Sequence, residues 1–445
     1  MNKITRRTPV ATLLAALFTA TAMLPATAAD LIGVYRDALA QDPVFASARA
    51  AYEAAKEATP QARAATLPSV TLSGGLTRIN SEVETSRGTG SLGYTNKTYT
   101  LSLSQPLFRM QTWIAVDQAG LQVKQAEAVF ADVQQSVITR SAQAYFDVLL
   151  SQDNVELSGA QKKAFSEQLA QAKRNFEVGT STIVDTYEAQ ARYDLAVAKE
   201  IADQNDLEIK RSALLQLIGK LPASLSPLRE KPELPLPSPA SADPWVRGAE
   251  EASPTVAQFR AIYEIAVKDI ARTKAGHYPT LDLTGSYRYN SEPNTSLPGD
   301  LTSKTSQLGV TLSIPLYQGG GTQSRIRQAL SVKDRAEQDL ENARRTVGQS
   351  VRTFFFGVTS GVAQVKALEA SLISSKSSLD STLLGKEVGV RTNVDVLNAQ
   401  QLLFQTRRDL QQARYNTIIA QLRLKAAAGR LVEEDLAEVN RLLQN

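Results

Sequence analysis

The sequence has no cysteine, a single histidine and only two tryptophans among its 445 residues. Disulfides and thiolate metal sites are thereby excluded, and stability must come from packing. Also missing are a nucleophile constellation, a phosphate loop with its lysine and an acidic metal cluster. "YQGGGTQSR" (317–325) is glycine-rich but has no lysine at the required spacing. The lone His277, in "AGHYPT", stands at a helix-to-strand junction and reads as a surface or interfacial residue. No catalytic residue, cofactor or metal is expected, which argues against an exported enzyme.

A strong charge bias is absent too. The first 29 residues read as a secretory signal peptide: basic "MNKITRR", apolar "VATLLAALFTATAML", then the small residues of "ATAAD". The apolar run is too short to span a bilayer. Its bases are Lys3, Arg6 and Arg7, so beyond it 49 − 3 = 46 bases face 45 acids, a net of +1. That balance offers no case for nucleic acid. No later apolar run approaches a spanning helix. Export without a helical span leaves a soluble periplasmic protein, a secreted one or an outer-membrane barrel.

What is present is one unit written twice. "FEVGTSTIVD" (176–185) returns as "KEVGVRTNVD" (386–395), an offset of 386 − 176 = 210. "LPSVTLSGGL" (67–76) matches "YPTLDLTGSY" (278–287), "SLSQPLF" (102–108) matches "TLSIPLY" (311–317), and "AYFDV" (144–148) matches "TFFFG" (353–357). A near-constant offset over so long a span marks duplication. The chain divides into the signal peptide 1–29, a first repeat 30–220, a crossover 221–244 with seven prolines, a second repeat 245–430 and a charged tail 431–445. The prolines make the crossover semi-rigid. The tail is expected to be partly disordered.

Each repeat reads helix, strand, strand, long helix, turn, helix. First helices are expected over 31–64 and 245–276. Strands are expected over 68–79, 98–108, 279–290 and 306–317, and helical hairpins over 110–218 and 322–428. Val70, Leu72 and Leu76 alternate with Thr71, Ser73 and Thr77; the other three strands alternate likewise. Period two over about ten residues suits a tilted membrane strand, with lipid on one face and water on the other. Alternation alone fits a soluble hairpin equally well. The segments 80–97 and 290–304, rich in Gly, Ser and Thr, read as long polar loops. Along the long helices Val116, Val123, Phe130, Val137 and Ala144 recur every seven residues, as do Val351, Val358, Val365, Leu372 and Leu379. That period favours a coiled coil. Each long helix is expected to carry two shorter ones stacked end to end beside it. Four strands cannot close a membrane barrel, and open edges in lipid leave backbone groups unbonded, so membrane strands would demand several chains.

The doubled unit, the strand-to-helix "QPLF" and "IPLY", and the "VGT…VD" and "VGV…VD" tips resemble the TolC family of outer-membrane efflux and type I secretion ducts. The resemblance spans nearly the whole chain after the signal peptide. It implies a mostly α protein with a membrane β-barrel: a homotrimer with 4 × 3 = 12 strands, continued by a long α-helical coiled-coil tunnel. It places the barrel in the lipid of the outer membrane of a Gram-negative bacterium and the helices in the periplasm. It implies a periplasmic adaptor (membrane fusion) protein and an inner-membrane ABC or proton-driven transporter as partners. It makes the tip a gate. Asp395 and Asn398 match a pair of lumen-facing acids, of which the second is neutral here. Arg391 and Asp185 match a charge pair across a subunit boundary. Lys386 stands where the family often has an aromatic. Gly179, Thr180, Gly389 and Val390 match adaptor-docking positions. Read without the resemblance, Asp185 and Asp395 are also fit to be helix N-terminal caps. A soluble periplasmic coiled-coil scaffold or adaptor is the alternative function.

Overall fold

The computed structural model describes residues 28–86, 88–293 and 300–444. Nearly all of the expected signal peptide lies outside the described residues, as does part of the 290–304 segment.

Four strands form one antiparallel sheet in sequence order: β1 (Ser69–Thr85), β2 (Gly88–Phe108), β3 (Thr280–Pro293) and β4 (Asp300–Ser313). The register puts like with like across the sheet. Leu72 faces Leu101, Leu101 faces Tyr287, and Leu283 faces Val310. The opposite face pairs Ser73 with Thr100 and Thr284 with Ser104 and Gly309. One face is therefore apolar and the other hydroxylated, and the apolar one is bare: Leu72, Leu76 and Leu308 are each more than 70% exposed. The segment read as a polar loop over 80–97 is mostly strand. Pairing continues from Asn80↔Gly93 to Thr85↔Gly88. Its Gly, Ser and Thr content resembles a turn, but ladder bonds use only the backbone, so composition misled. β4 likewise begins at Asp300 and ends at Ser313, ahead of Pro315.

Ten α-helices are described. They are α1 (Leu31–Gln41), α2 (Pro43–Lys56), α3 (Ala58–Ala64), α4 (Met110–Glu177), α5 (Ile183–Ile218), α6 (Ala242–Ala252), α7 (Pro254–Lys274), α8 (Gly321–Glu387), α9 (Asn393–Ala427) and α10 (Glu433–Asn440). At 68 and 67 residues, α4 and α8 each run about 100 Å at about 1.5 Å per residue. The first helices are not continuous as expected; each is broken at a repeat-equivalent proline, Pro43 and Pro254. Proline lacks the N–H that would continue the preceding helix and is preorganised to start the next. Buried Asp42 caps the new helix at Val44 N, 3.0 Å, and pairs with Arg140 of α4 at 2.6 Å. Sheet and helices are bolted together by Arg109, whose Nε and Nη2 donate to Asp282 at 2.9 and 2.8 Å. Gly319 and Gly320, both at positive φ, turn the chain from β4 into α8.

α1–α3 lie along the sheet-proximal half of α4, and α5 lies along the other half. The two meet where Lys220 reaches Asp37 at 3.4 Å. α7 packs between α4 and α8, while α9 packs on α8 and also touches α4. The largest core lies at this midpoint, around Tyr145, Phe146, Leu214, Ile218 and Ile418. Towards the tip the core thins to Phe165, Leu169, Ala189, Ala196 and Leu397.

Over its described residues, 431–444, the C-terminal tail is packed on the fold, contrary to expectation. Leu436 and Leu443 are at most 1% exposed. Leu443 bridges Leu228 of the crossover, and Ala29 bridges Leu225. Asn440 accepts from Leu31 N and donates to Asp30, both at 3.0 Å. Lys425 holds Asp435 at 2.6 Å and Glu438 at 3.0 Å. Glu433, Glu434 and Glu438 of α10 face outward and its Asp435 is buried in an ion pair, while its leucine and valine face inward. Net composition hides that one-sidedness in so short a helix.

One carboxyl in this region carries a pH prediction. Asp153 on α4 accepts from the Tyr415 hydroxyl at 2.8 Å. Burial lifts its pKa to about 6; the tyrosine opposes the rise and Glu156 adds to it. An unfolded aspartate titrates near 3.9. The folded state thus holds this proton more tightly, and its contribution is full below about pH 4 and lost as pH rises to about 6. Asp153→Asn is expected to raise stability at pH 7 by roughly 3 kcal/mol and to flatten the pH 4–6 slope. Denaturant titrations at both pH values check this, and an unchanged slope would refute it.

Candidate functional site: the helical hairpin tips

Two turns form the end of the molecule farthest from the sheet. After α4 the chain passes Val178 and Gly179 at φ +77°, and after α8 it passes Val388 and Gly389 at φ +80°. Left-handed backbone favours glycine there. A Cβ on either would meet nothing within 4 Å, so the need is conformational and the surroundings are open. Thr180 and Val390 donate their N–H to Asn175 O and Gly385 O, at 2.8 and 2.9 Å, closing the last turns. All four docking candidates, Gly179, Thr180, Gly389 and Val390, sit exposed on these turns.

Asp185 and Asp395 form capping boxes. Asp185 Oδ2 accepts from Thr182 N at 3.0 Å and from its hydroxyl at 2.8 Å, and Asp185 N donates to Thr182 Oγ1 at 3.3 Å. The Thr392–Asp395 distances are 2.8, 2.9 and 3.2 Å. Bonds from the Thr392 backbone and hydroxyl, with the Arg391 charge nearby, hold the Asp395 carboxyl below the usual carboxylate range. Both boxes use Oδ2 alone. The capping role is therefore present in the structure, and it leaves a second carboxylate oxygen for other work.

Asn398 is not idle. Arg192 of α5 donates to Asn398 Oδ1 at 3.1 Å, and also to Gln401 and, at 3.3 Å, to Glu188. One turn pair farther up, Arg408 of α9 meets Asp203 of α5 at 3.0 Å, and Lys199 shares that carboxylate at 2.8 Å. These bonds tie the two hairpins of one chain together. Lys386 does the same from α8: its Nζ reaches Asn393 at 2.9 Å, Gln171 at 3.2 Å and Gln168 at 3.4 Å. Burial lowers its pKa, against the pull of Asp185. Arg391 is exposed and, among the described residues, has no ion pair within its chain. Its side chain lies over Gly385, where a Cβ would stand 2.7 Å from Arg391 Cγ. Arg192 is thus a tip residue that sequence reasoning did not assign, and the bracing role of Lys386 was likewise not foreseen. The partners they reach in the other hairpin lie more than 200 positions away, and no local pattern reports such a contact.

The tips, the duplicated hairpins and the amphipathic sheet agree with one family. The profile described as "Outer membrane efflux protein" matches residues 34–220 and again 245–430. The chain belongs to the outer membrane efflux protein family. It is 35% identical over 415 residues to the outer membrane protein TolC of Vibrio cholerae, covering 93% of each chain. It is 33% identical over 420 residues to the alkaline protease secretion protein AprF of Pseudomonas aeruginosa, covering 92% of this chain and 86% of that one. Its fold matches the Campylobacter jejuni CmeC outer membrane channel with a TM-score of 0.78 at 17% identity, over 93% of this chain and 90% of that one. As a member of this family the protein is an efflux or secretion channel of a Gram-negative outer membrane, with its helices in the periplasm. The soluble scaffold finds no support among these likenesses. The relatives are channel proteins rather than enzymes.

Proposed function

We propose that three copies assemble into one duct, handing cargo from an inner-membrane transporter, through a periplasmic adaptor, to the cell exterior. The observation that carries the trimer is the sheet: β1 and β4 are its two edges, and its apolar face is bare. In lipid such edges must be paired, and 4 × 3 = 12 strands are enough to close a barrel. The helices support the same assembly. Tyr187, Leu195, Ile201 and Ile209 of α5 are all more than half exposed, apolar surface that a neighbouring copy would cover. Gly179, Thr180, Gly389 and Val390 are the adaptor's footing at the tips. Both an ABC exporter and a proton-driven pump fit this arrangement, and the relative AprF, by name a protease secretion protein, favours the former.

The gate is the tip. Arg391, which makes no ion pair among the described residues of its own chain, pairs with Asp185 of a neighbouring copy, while Lys386 and Arg192 brace the two hairpins inside each copy. Three Asp395 carboxylates ring the mouth and favour cations. Arg391→Ala and Asp185→Ala are each expected to raise single-channel conductance in planar bilayers. An exposed pair worth about 1 kcal/mol shifts the open-to-closed ratio roughly fivefold. Asp395→Ala is expected to move the reversal potential towards weaker cation preference. Unchanged conductance in both gate variants would remove the Arg391–Asp185 lock. Extraction of the chain as a monomer without detergent would remove the duct itself.

A further inference from the structure

Along the apolar face of the sheet, side chains change in kind with height above the helices. Nearest the helices are Leu281 paired with Leu312 and Leu283 paired with Val310, then Val70 paired with Leu103 and Leu72 paired with Leu101. Tyrosines follow: Tyr287 beside Leu101, and Tyr99 facing Tyr289 with ring centroids 6.2 Å apart. Amphipathic rings at this height mark the interface between hydrocarbon and headgroups.

Cations come next. On the same face Tyr289 is paired with Lys304, Leu76 with Lys97, and Arg78 lies one further pleat along β1. Arg78 pairs with Thr95, so Arg78 and Lys97 are diagonal neighbours on adjacent strands, about 7 Å apart at their Cα atoms. Lys304 stands two strands from Lys97, about 10 Å across the sheet. All three side chains are exposed. The acids of this face, Glu82, Glu84 and Asp300, begin only four residues beyond Arg78 and Lys304, about 13 Å farther out. The order is apolar, aromatic, cationic, then acidic.

We propose that Arg78, Lys97 and Lys304 form a binding surface for the phosphate groups of outer-leaflet lipid. The occupant is a phosphorylated lipid rather than a soluble anion because the cations continue a surface that already faces acyl chains. A lipid seated on the tyrosines brings its headgroup phosphates to this height. Arginine can grip phosphate with two parallel N–H bonds, and the flexible lysines can follow a second phosphate. The inference rests on the sheet facing lipid but not on the gate, the adaptor or the number of copies.

The test uses the full protein purified in detergent and titrated with diphosphorylated lipid A, its dephosphorylated counterpart and inorganic phosphate, read by native mass spectrometry. The wild type is expected to retain the phosphorylated lipid at least tenfold better than the dephosphorylated one, and the preference is expected to fall with salt. The triple variant R78Q/K97Q/K304Q is expected to lose that preference while keeping the heat-modifiable mobility of the wild type. Single Gln variants, each expected to lose part of the preference, serve if the triple does not fold. Equal retention of the two lipids by the wild type would overturn the proposal, as would an undiminished preference in folded variants. Inorganic phosphate displacing the lipid at matched concentration would show an anion site with no use for the lipid. Failure of outer-membrane insertion would instead count against the lipid-facing sheet.

Discussion

Gly429→Ala is expected to destabilise the protein by about 3 kcal/mol or more, whereas the repeat-equivalent Gly219→Ala costs about 1 kcal/mol. Both glycines end a helix at positive φ, +68° and +72°. A side chain at either must enter left-handed backbone, which accounts for the smaller loss. Their surroundings differ. A Cβ at 219 meets only the flexible Gln41 side chain, no nearer than 3.5 Å. A Cβ at 429 would stand 2.4 Å from Ala252 O and 2.8 Å from Ser253 N. Those atoms are backbone, at the Pro254 break between α6 and α7, and cannot step aside without moving a helix. Thermal unfolding followed by circular dichroism should place the Gly429 variant well below the Gly219 variant. Equal midpoints would mean that the α6–α7 junction yields freely.

Ending the chain after Arg430 is expected to abolish stable assembly. The lost segment carries Leu431, Leu436, Val439 and Leu443, all at most 6% exposed. At roughly 1.5–3 kcal/mol for each buried aliphatic side chain, removing the four takes on the order of 6–12 kcal/mol. That is comparable to the whole stability of a domain. It also bares Leu225 and Leu228 of the crossover and leaves Leu31 N without its acceptor. The truncated chain should be missing from the outer-membrane fraction and quickly degraded. Asn440→Ala, which removes only the Leu31 and Asp30 bonds, is expected to cost about 1–2 kcal/mol and to assemble. A truncated chain with an unaltered thermal midpoint would show the tail to be an accessory.

Much of this architecture was legible in the residues. Alternation in "VTLSGGL" and "TLDLTGSY" reports strands because side chains on a pleat point to opposite faces, and each strand follows one rule throughout. The long helices show as stretches without proline whose apolar residues return every seventh position. Val351 and Val358 of that stripe are fully buried. Legibility failed where backbone and side chain disagree. The upper strand pair, Asn80–Thr85 with Gly88–Gly93, is rich in turn-forming residues yet makes an unbroken ladder. It failed again where one residue type has two uses. Asp395 fits a cap and a gate equally, and the capping box at Thr392 satisfies the first without spending both oxygens. Pro43 and Pro254 break helices that the strong helix formers around them would otherwise continue. Arg192 could not be found at all, and Lys386 stood out only by the resemblance, since a contact between hairpins depends on how two rods lie together.

The midpoint girdle, where Leu225, Leu228 and Leu443 meet, has a bearing on biogenesis. The polypeptide enters the periplasm from its amino end, and the α4–α5 hairpin can pair with itself as soon as it emerges. Its waist cannot close until residue 443 has also crossed, more than 200 positions later. During that interval Leu225 and Leu228 lack the cover of Leu443. Closure of this core therefore waits on a residue three positions beyond the last helix.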